Sequence, residues 1–135
     1  MSNKNDRVHR LNRILKVQAQ KRLLEEWRLN HLREERAELD RTDAELLASL
    51  GTGSQLHGLF IDVKVRTLRR NDVERRAIEQ RKAAVEERIR SVRRVEKGVE
   101  KRRDQARRTA DAETEAKERD ASIDSFLART GSSFE

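Results

Sequence analysis

The sequence predicts an all-α chain folded as a long antiparallel two-helix coiled coil, an α-hairpin, and three observations carry that prediction. Charged residues make up 42% of the 135 positions and apolar ones 34%, with three Phe, one Trp and no Tyr, so a thick globular core cannot be filled. Pro is absent, and the strong helix formers Ala, Leu, Glu, Lys and Arg are abundant. Apolar residues recur every seven positions over long stretches, the spacing that keeps a thin seam facing a partner helix. A chain this polar either stays disordered or buries a narrow stripe, and its helix-forming composition selects the stripe.

The first helix is predicted over residues 6–50. Leu11, Ile14, Leu15, Leu29, Leu32, Leu39, Leu46, Leu47 and Leu50 fall in one angular sector of a helix advancing 100° per residue. Leu32, Leu39 and Leu46 repeat every seven, but extending that register backward meets Glu25 and Gln18, so the seam reads as interrupted there. Leu23, Leu24 and Trp27 sit off the stripe. Trp27 is therefore either an exposed interface anchor or, with Leu23 and Leu24, the filling of a register shift.

Residues 51–54 are predicted to reverse the chain, because only there do two glycines cluster with capping residues. Gly51 suits a left-handed position just past a helix, and Thr52 or Ser54 suits an N-cap. Gly58 is expected to fray the start of the second helix.

That second helix is predicted over 55–129, with Gly98 as an internal weak point and a flexible tail at 130–135. Its seam runs through Ile78, Val85, Val92, Val99 and Ala106, with Ile89, Val95 and Ala110 between them and Leu56, Phe60 and Val63 continuing it to the turn. Outer-face pairs at i,i+4 are Glu86 with Arg90, Asp104 with Arg108, Glu113 with Lys117 and Glu115 with Arg119. Pairing outward from the turn brings the first helix to its end opposite residue ~98 and leaves a single-helix overhang of ~45 Å at 1.5 Å per residue. The whole of 1–135 then forms one coiled-coil domain.

Function classes narrow accordingly. Without Cys there is no disulfide, thiolate metal site or thiol nucleophile. His9, His31 and His57 are scattered, and the glycines lack a following Lys-Ser or Lys-Thr, so neither a metal site nor a phosphate-cradling loop is expected. A two-helix rod offers no concave pocket in which paired carboxylates could shift their pKa values. No enzyme, cofactor or small-molecule substrate is expected. The N-terminus has no apolar targeting segment and no run is long enough to span a membrane, which predicts a soluble cytoplasmic protein.

The net charge of +7 is uneven: residues 1–63 hold 11 basic and 10 acidic side chains, 64–108 hold 18 and 8, and 109–135 hold 3 and 7. The basic middle allows three readings: a solvated coiled-coil face, a docking surface for an acidic protein, or a nucleic-acid surface. Interleaved Glu and Asp and the lack of stacking aromatics count against nucleic acid.

Two stretches carry a family resemblance. Residues 7–32, RVHRLNRILKVQAQKRLLEEWRLNHL, resemble the basic, Leu-rich opening of the FliJ/YscO family of type III export proteins. Residues 95–128, VEKGVEKRRDQARRTADAETEAKERDASIDSFLA, are similar to that family's closing helix, a basic segment followed by acidic and polar residues and an acidic-apolar end. The resemblance implies a stalk-like coiled coil of the bacterial flagellar or injectisome export apparatus, cytoplasmic and peripheral to the inner membrane. Its implied partners are the hexameric export ATPase, the cytoplasmic part of the membrane export gate, and export chaperones. On this resemblance Arg7, Arg10 and Arg13 with Arg102, Arg103, Arg107 and Arg108 form the ATPase-facing end. Trp27 and the flank of Arg69, Arg70, Arg75 and Arg76 face the gate or the chaperones. The rivals are a basic nucleic-acid-binding coiled coil and a plain dimeric scaffold in which the overhang pairs with its own copy.

Overall fold

A computed structural model describes the backbone of residues 3–51 and 57–133, and the side chains of 4–51 and 60–131. The chain is all-α, as its composition and periodicity predict: α1 runs Asn3–Leu50 (48 residues) and α2 His57–Ser133 (77 residues). α1 begins three residues before its predicted start, and α2, described from His57, ends four residues past its predicted end. Asp6 places a carboxylate in the first turn of α1, where it complements the exposed N–H groups. At the other end α2 continues through residues 130–133, which the sequence marks as a flexible tail; there the Thr130 hydroxyl donates to the Phe126 carbonyl at 2.7 Å.

The turn differs from expectation at Gly51. No described glycine has a positive φ, and the Gly51 N–H bonds the Ala48 carbonyl at 3.2 Å, an i→i−3 closure that tightens the last turn of α1 without a left-handed residue. Thr52, Ser54 and Leu56 lie outside the described residues. Gly58 lies within α2.

The chain divides into two compact units, Gln20–Arg93 and Met1–Ala19 with Arg94–Glu135. In both, α1 and α2 run antiparallel, and burial follows one rule along each helix. From Lys4 to Leu50, steps of four and three residues land without exception on buried or half-buried side chains, and from Lys64 to Glu113 the same holds on α2. The seven-residue beat is therefore unbroken. Glu25, only 8% exposed, and the half-buried Gln18 belong to the seam, which corrects the interruption read from the sequence. Leu23, Leu24 and Trp27 are exposed and fill no register shift.

In the Gln20–Arg93 unit the core is Leu29, Leu32, Ile78, Val85 and Ile89, with Leu39 packed against it. Each such side chain contributes about 1.5–3 kcal/mol when taken out of water. Polar seam positions are satisfied in pairs: the amide of Asn71, 4% exposed, donates to Asp43 at 2.8 Å, and Arg75 donates to Asp43 and to Asp40. Arg36 of α1 pairs with Glu79 of α2. With Asp43 opposite Asn71 and Arg75, the end of α1 lies level with residues 64–68 of α2 on an antiparallel count. The first turns of α2 thus pass beyond α1, so even Ile61, which is on the beat, is exposed; Phe60 and Val63, each one residue before a beat position, do not continue the seam.

In the other unit Leu11, Val99 and Ala106 form the core, with Val8 and Leu15 against it. Lys4 pairs with Glu113 at 2.7 Å, so α1 reaches residue 113 and not ~98. From Thr114 to Arg129 every residue is exposed. The overhang therefore begins at residue 114 and is ~30 Å long rather than ~45 Å.

Other seam positions and outer-face pairs are corrected as well. Val95 is 47% exposed, because the step after Val92 lands on Glu96, which is half-buried in its place; Ile14 and Leu47 likewise lie outside the seam. Arg90 bonds Glu87 and not Glu86, and Asp104 accepts from its neighbour Arg103 and not from Arg108. Glu113 is engaged across the helix pair by Lys4, with Lys117 contributing through its charge alone.

Candidate partner-binding surfaces

The unit made of both chain ends gathers the first basic set. Arg7, Arg10 and Arg13 on α1 and Arg102, Arg107 and Arg108 on α2 are all exposed within it. The Leu11–Val99–Ala106 core beneath them brings these distant stretches side by side. Arg13 and Arg103 line one groove, together with His9 and Lys16. Arg103 itself occupies a seam position and is half-buried, its guanidinium held by Asp104 at 3.3 Å and Glu100 at 4.0 Å, so it serves the fold more than the surface.

The second basic set divides. Arg69 and Arg70 are exposed on α2. Arg76 bonds Asp72 at 3.1 Å. Arg75 takes a seam position instead of standing on a free flank, and its donors go to Asp40, Asp43 and Asp72. That geometry holds the Asp43 carboxyl below the usual range, first through the Arg75 hydrogen bond and then through that of Asn71. The same contact with Asp43 raises the pKa of Arg75. At the other end of the seam the Lys4 ammonium lowers the pKa of Glu113.

Trp27, 63% exposed, stacks on His31 with ring centroids 5.5 Å apart and planes 6° from parallel. It lies at the edge of a shallow groove of about 280 Å³ whose other lining residues include Leu32, Ala84 and Val85, with Arg28, Arg81 and Arg88 among them. The arginines beside Trp27 are thus Arg28, Arg81 and Arg88, none of which the sequence singled out, and not Arg69, Arg70, Arg75 or Arg76. A signal was available: Arg81 and Arg88 are seven apart, each one residue before a seam position, where side chains flank the helix pair. Both Arg28, at 2.7 Å, and Arg88, at 3.1 Å, donate to the buried Glu25. Nearby, Glu26 accepts from Arg93 at 3.3 Å and Arg22 at 3.4 Å.

Among the described residues no group of three or more His, Cys, Asp or Glu side chains could hold a metal ion, and no helix is long and apolar enough to cross a membrane. The arrangement offers charged flanks and shallow open grooves suited to protein contacts. No family model, curated protein or solved structure matches the chain.

Proposed function

We propose that the chain is a non-enzymatic stalk and adaptor of a bacterial type III protein-export apparatus, binding the hexameric export ATPase and linking it to the export gate and export chaperones. The reading rests on the FliJ/YscO-like character of residues 7–32 and 95–128, and one structural observation supports it most. Those two stretches supply the exposed arginines Arg7, Arg10, Arg13, Arg102, Arg107 and Arg108 of a single compact unit, a cationic surface suited to an acidic protein face. The unit is slim, two helices with Ala106 and Ala110 buried at the contact, which suits entry into a ring. On this reading the protein acts in the cytoplasm at the inner membrane, with Arg69, Arg70 and the Trp27 groove toward the gate or the chaperones.

The test is charge reversal at Arg102, Arg107 and Arg108, leaving the fold-supporting Arg103 in place, with measurement of hexamer formation by the export ATPase. The proposal expects the wild-type chain to promote assembly and the reversed chain to lose most of that effect while keeping its helical circular dichroism. If wild type and variant promote assembly equally, this surface is not the ATPase site; if neither does, the stalk reading fails.

A further inference from the structure

The two faces of the Gln20–Arg93 helix pair differ in chemistry. One carries a groove lined by charges of both signs, Glu26 and Glu86 beside Arg33, Arg90 and Arg93. The other carries the Trp27 groove and, beside it, a second lined by Lys21, Leu24, Glu25, Arg88, Ser91 and Val92, and the two share Arg88. Together they form one trough with an apolar floor, Leu24 and Val92 at one end and Leu32 and Val85 at the other. On its α1 wall Leu24 and Trp27 are 48% and 63% exposed. The α2 wall is low: Ala84 and Ser91 stand seven residues apart on it, each one position before a seam residue, Val85 and Val92. An open groove between two helices, with small side chains on one wall, lets a third helix approach closely.

The rim fixes the sign of what the trough takes. Lys21, Arg28, Arg81 and Arg88 line it against one carboxylate, Glu25, which Arg28 and Arg88 already hold. Glu35, the next carboxylate along that flank of α1, is held by His31 at 3.1 Å. Lys21 and Arg81 are exposed and make no ion pair among the described residues. Their spacing follows from the register. Arg88 reaches Glu25, so Arg81, seven residues earlier, is level with residue 32 of α1 on an antiparallel count. From Lys21 to that level is ~17 Å at 1.5 Å per residue. A helix laid in the trough therefore meets an unengaged cation at each end, about three turns apart, with the apolar floor between them. Nucleic acid fits less well, because one aromatic residue already stacked on His31 offers no platform for successive bases.

We propose that this trough is the docking site for an acidic amphipathic helix of another protein, which packs its apolar stripe on Leu24, Trp27 and the floor and sets carboxylates about three turns apart against Lys21 and Arg81. The contact is small, so the association is weak and depends on salt. The groove is the one that the export reading turns toward the gate or the chaperones, but the inference needs only the trough, and a peptide in place of any export component tests it independently of that reading.

The experiment titrates the full chain with a Trp-free peptide of three heptads, Leu at a and d and Glu at e and g, and with its counterpart carrying Lys at e and g. Trp27 is the one Trp of the sequence, so its fluorescence reports on the trough alone. The Glu peptide is expected to shift Trp27 emission to shorter wavelength, with an affinity that falls as salt rises, and the Lys peptide to leave it unchanged. In the variant with Lys21→Glu and Arg81→Glu the affinity is expected to drop about tenfold, since two attractive pairs become repulsive. The variant with Arg41→Glu and Arg66→Glu makes the same change of charge at exposed positions outside the trough and is expected to bind within about twofold of wild type. Circular dichroism checks that each variant keeps its helicity. No shift with the Glu peptide, an equal shift with the Lys peptide, or equal losses in the two variants overturns the proposal. So does a tighter response of Trp27 to an oligothymidylate than to the Glu peptide, which would make the trough a nucleic-acid site.

Discussion

Replacing Glu25 by Leu should stabilise the fold, although it removes two salt bridges. Glu25 sits at a seam position and is 8% exposed, so a Leu there would be buried like its neighbours Leu29 and Leu32 and contribute about 1.5–3 kcal/mol. Against that stand the pairs with Arg28 and Arg88, whose side chains are 46% and 51% exposed. Ion pairs with so wet a partner contribute about 0.2–1 kcal/mol each. Neither guanidinium is left buried and unpaired when the carboxylate goes, so the large penalty of an orphaned internal charge does not arise. The balance is a gain of about 1 kcal/mol, or a melting temperature roughly 4 °C higher for a chain of this size. Glu25→Ala loses the same pairs and fills nothing, and is expected to melt below wild type. Far-UV circular dichroism during heating and in urea measures both. If Glu25→Leu melts as low as Glu25→Ala, position 25 is not a seam position, or the Glu25–Arg28–Arg88 cluster contributes far more than exposed pairs do.

Other substitutions probe separate parts of the structure. Gly98→Ala should add about 1 kcal/mol, since Gly98 lies inside α2 and an added Cβ meets nothing within 4 Å; urea unfolding reads it directly. Ile78→Ala should cost about 3 kcal/mol through the cavity it leaves, whereas Val95→Ala, at an exposed position, should change stability by less than about 0.5 kcal/mol. The lowered pKa of Asp43 means that the folded state favours its ionised form. Its contribution is complete above the unfolded value of about 4, is lost as pH falls through the folded value, and should vanish from the acid limb of the stability curve in Asp43→Asn. Trp27, largely exposed, should show solvent-shifted fluorescence in the native state that changes little on unfolding.

The helices and their antiparallel pairing were legible because Ile78, Val85, Val99 and Ala106 set the seven-residue beat in apolar residues alone. The register was not, because nearly half of the seam is polar: Lys4, Gln18, Arg22, Glu25, Arg36 and Asp43 on α1, and Lys64, Asn71, Arg75, Lys82, Glu96, Arg103 and Glu113 on α2. A search for apolar periodicity treats these as breaks. Burial shows that they continue the pattern, with several satisfied across the helices, as Asn71 and Arg75 are by Asp43. The same blindness hid the roles of Arg75 and Arg103, which look like free surface cations in sequence; in the structure both are seam residues, Arg75 holding the seam carboxylate of Asp43 and Arg103 pairing with Glu100 and Asp104 on its own helix. Phe60 and Val63 misled in the opposite sense. They are apolar and close to the turn, but each stands one residue before a beat position, Ile61 and Lys64, and nothing local to either records the register or where the opposite helix stops. The gathering of Arg7, Arg10 and Arg13 with Arg102, Arg107 and Arg108 came from topology alone, whereas the arginines around Trp27 required the register.

Crosslinking between introduced cysteines measures that register, and the absence of native Cys makes the result unambiguous. The Lys4 ammonium lies 2.7 Å from the Glu113 carboxylate, so in the chain with Lys4→Cys and Glu113→Cys a short bis-maleimide, spanning the gap those two long side chains fill, should link the thiols within one molecule. The chain with Lys4→Cys and Gly98→Cys should not be linked, because Gly98 and Glu113 are about four turns apart along α2. Linking of the second pair in preference to the first, or crosslinks that form only between chains, would contradict the antiparallel register on which the seam, the overhang and the basic surface all depend.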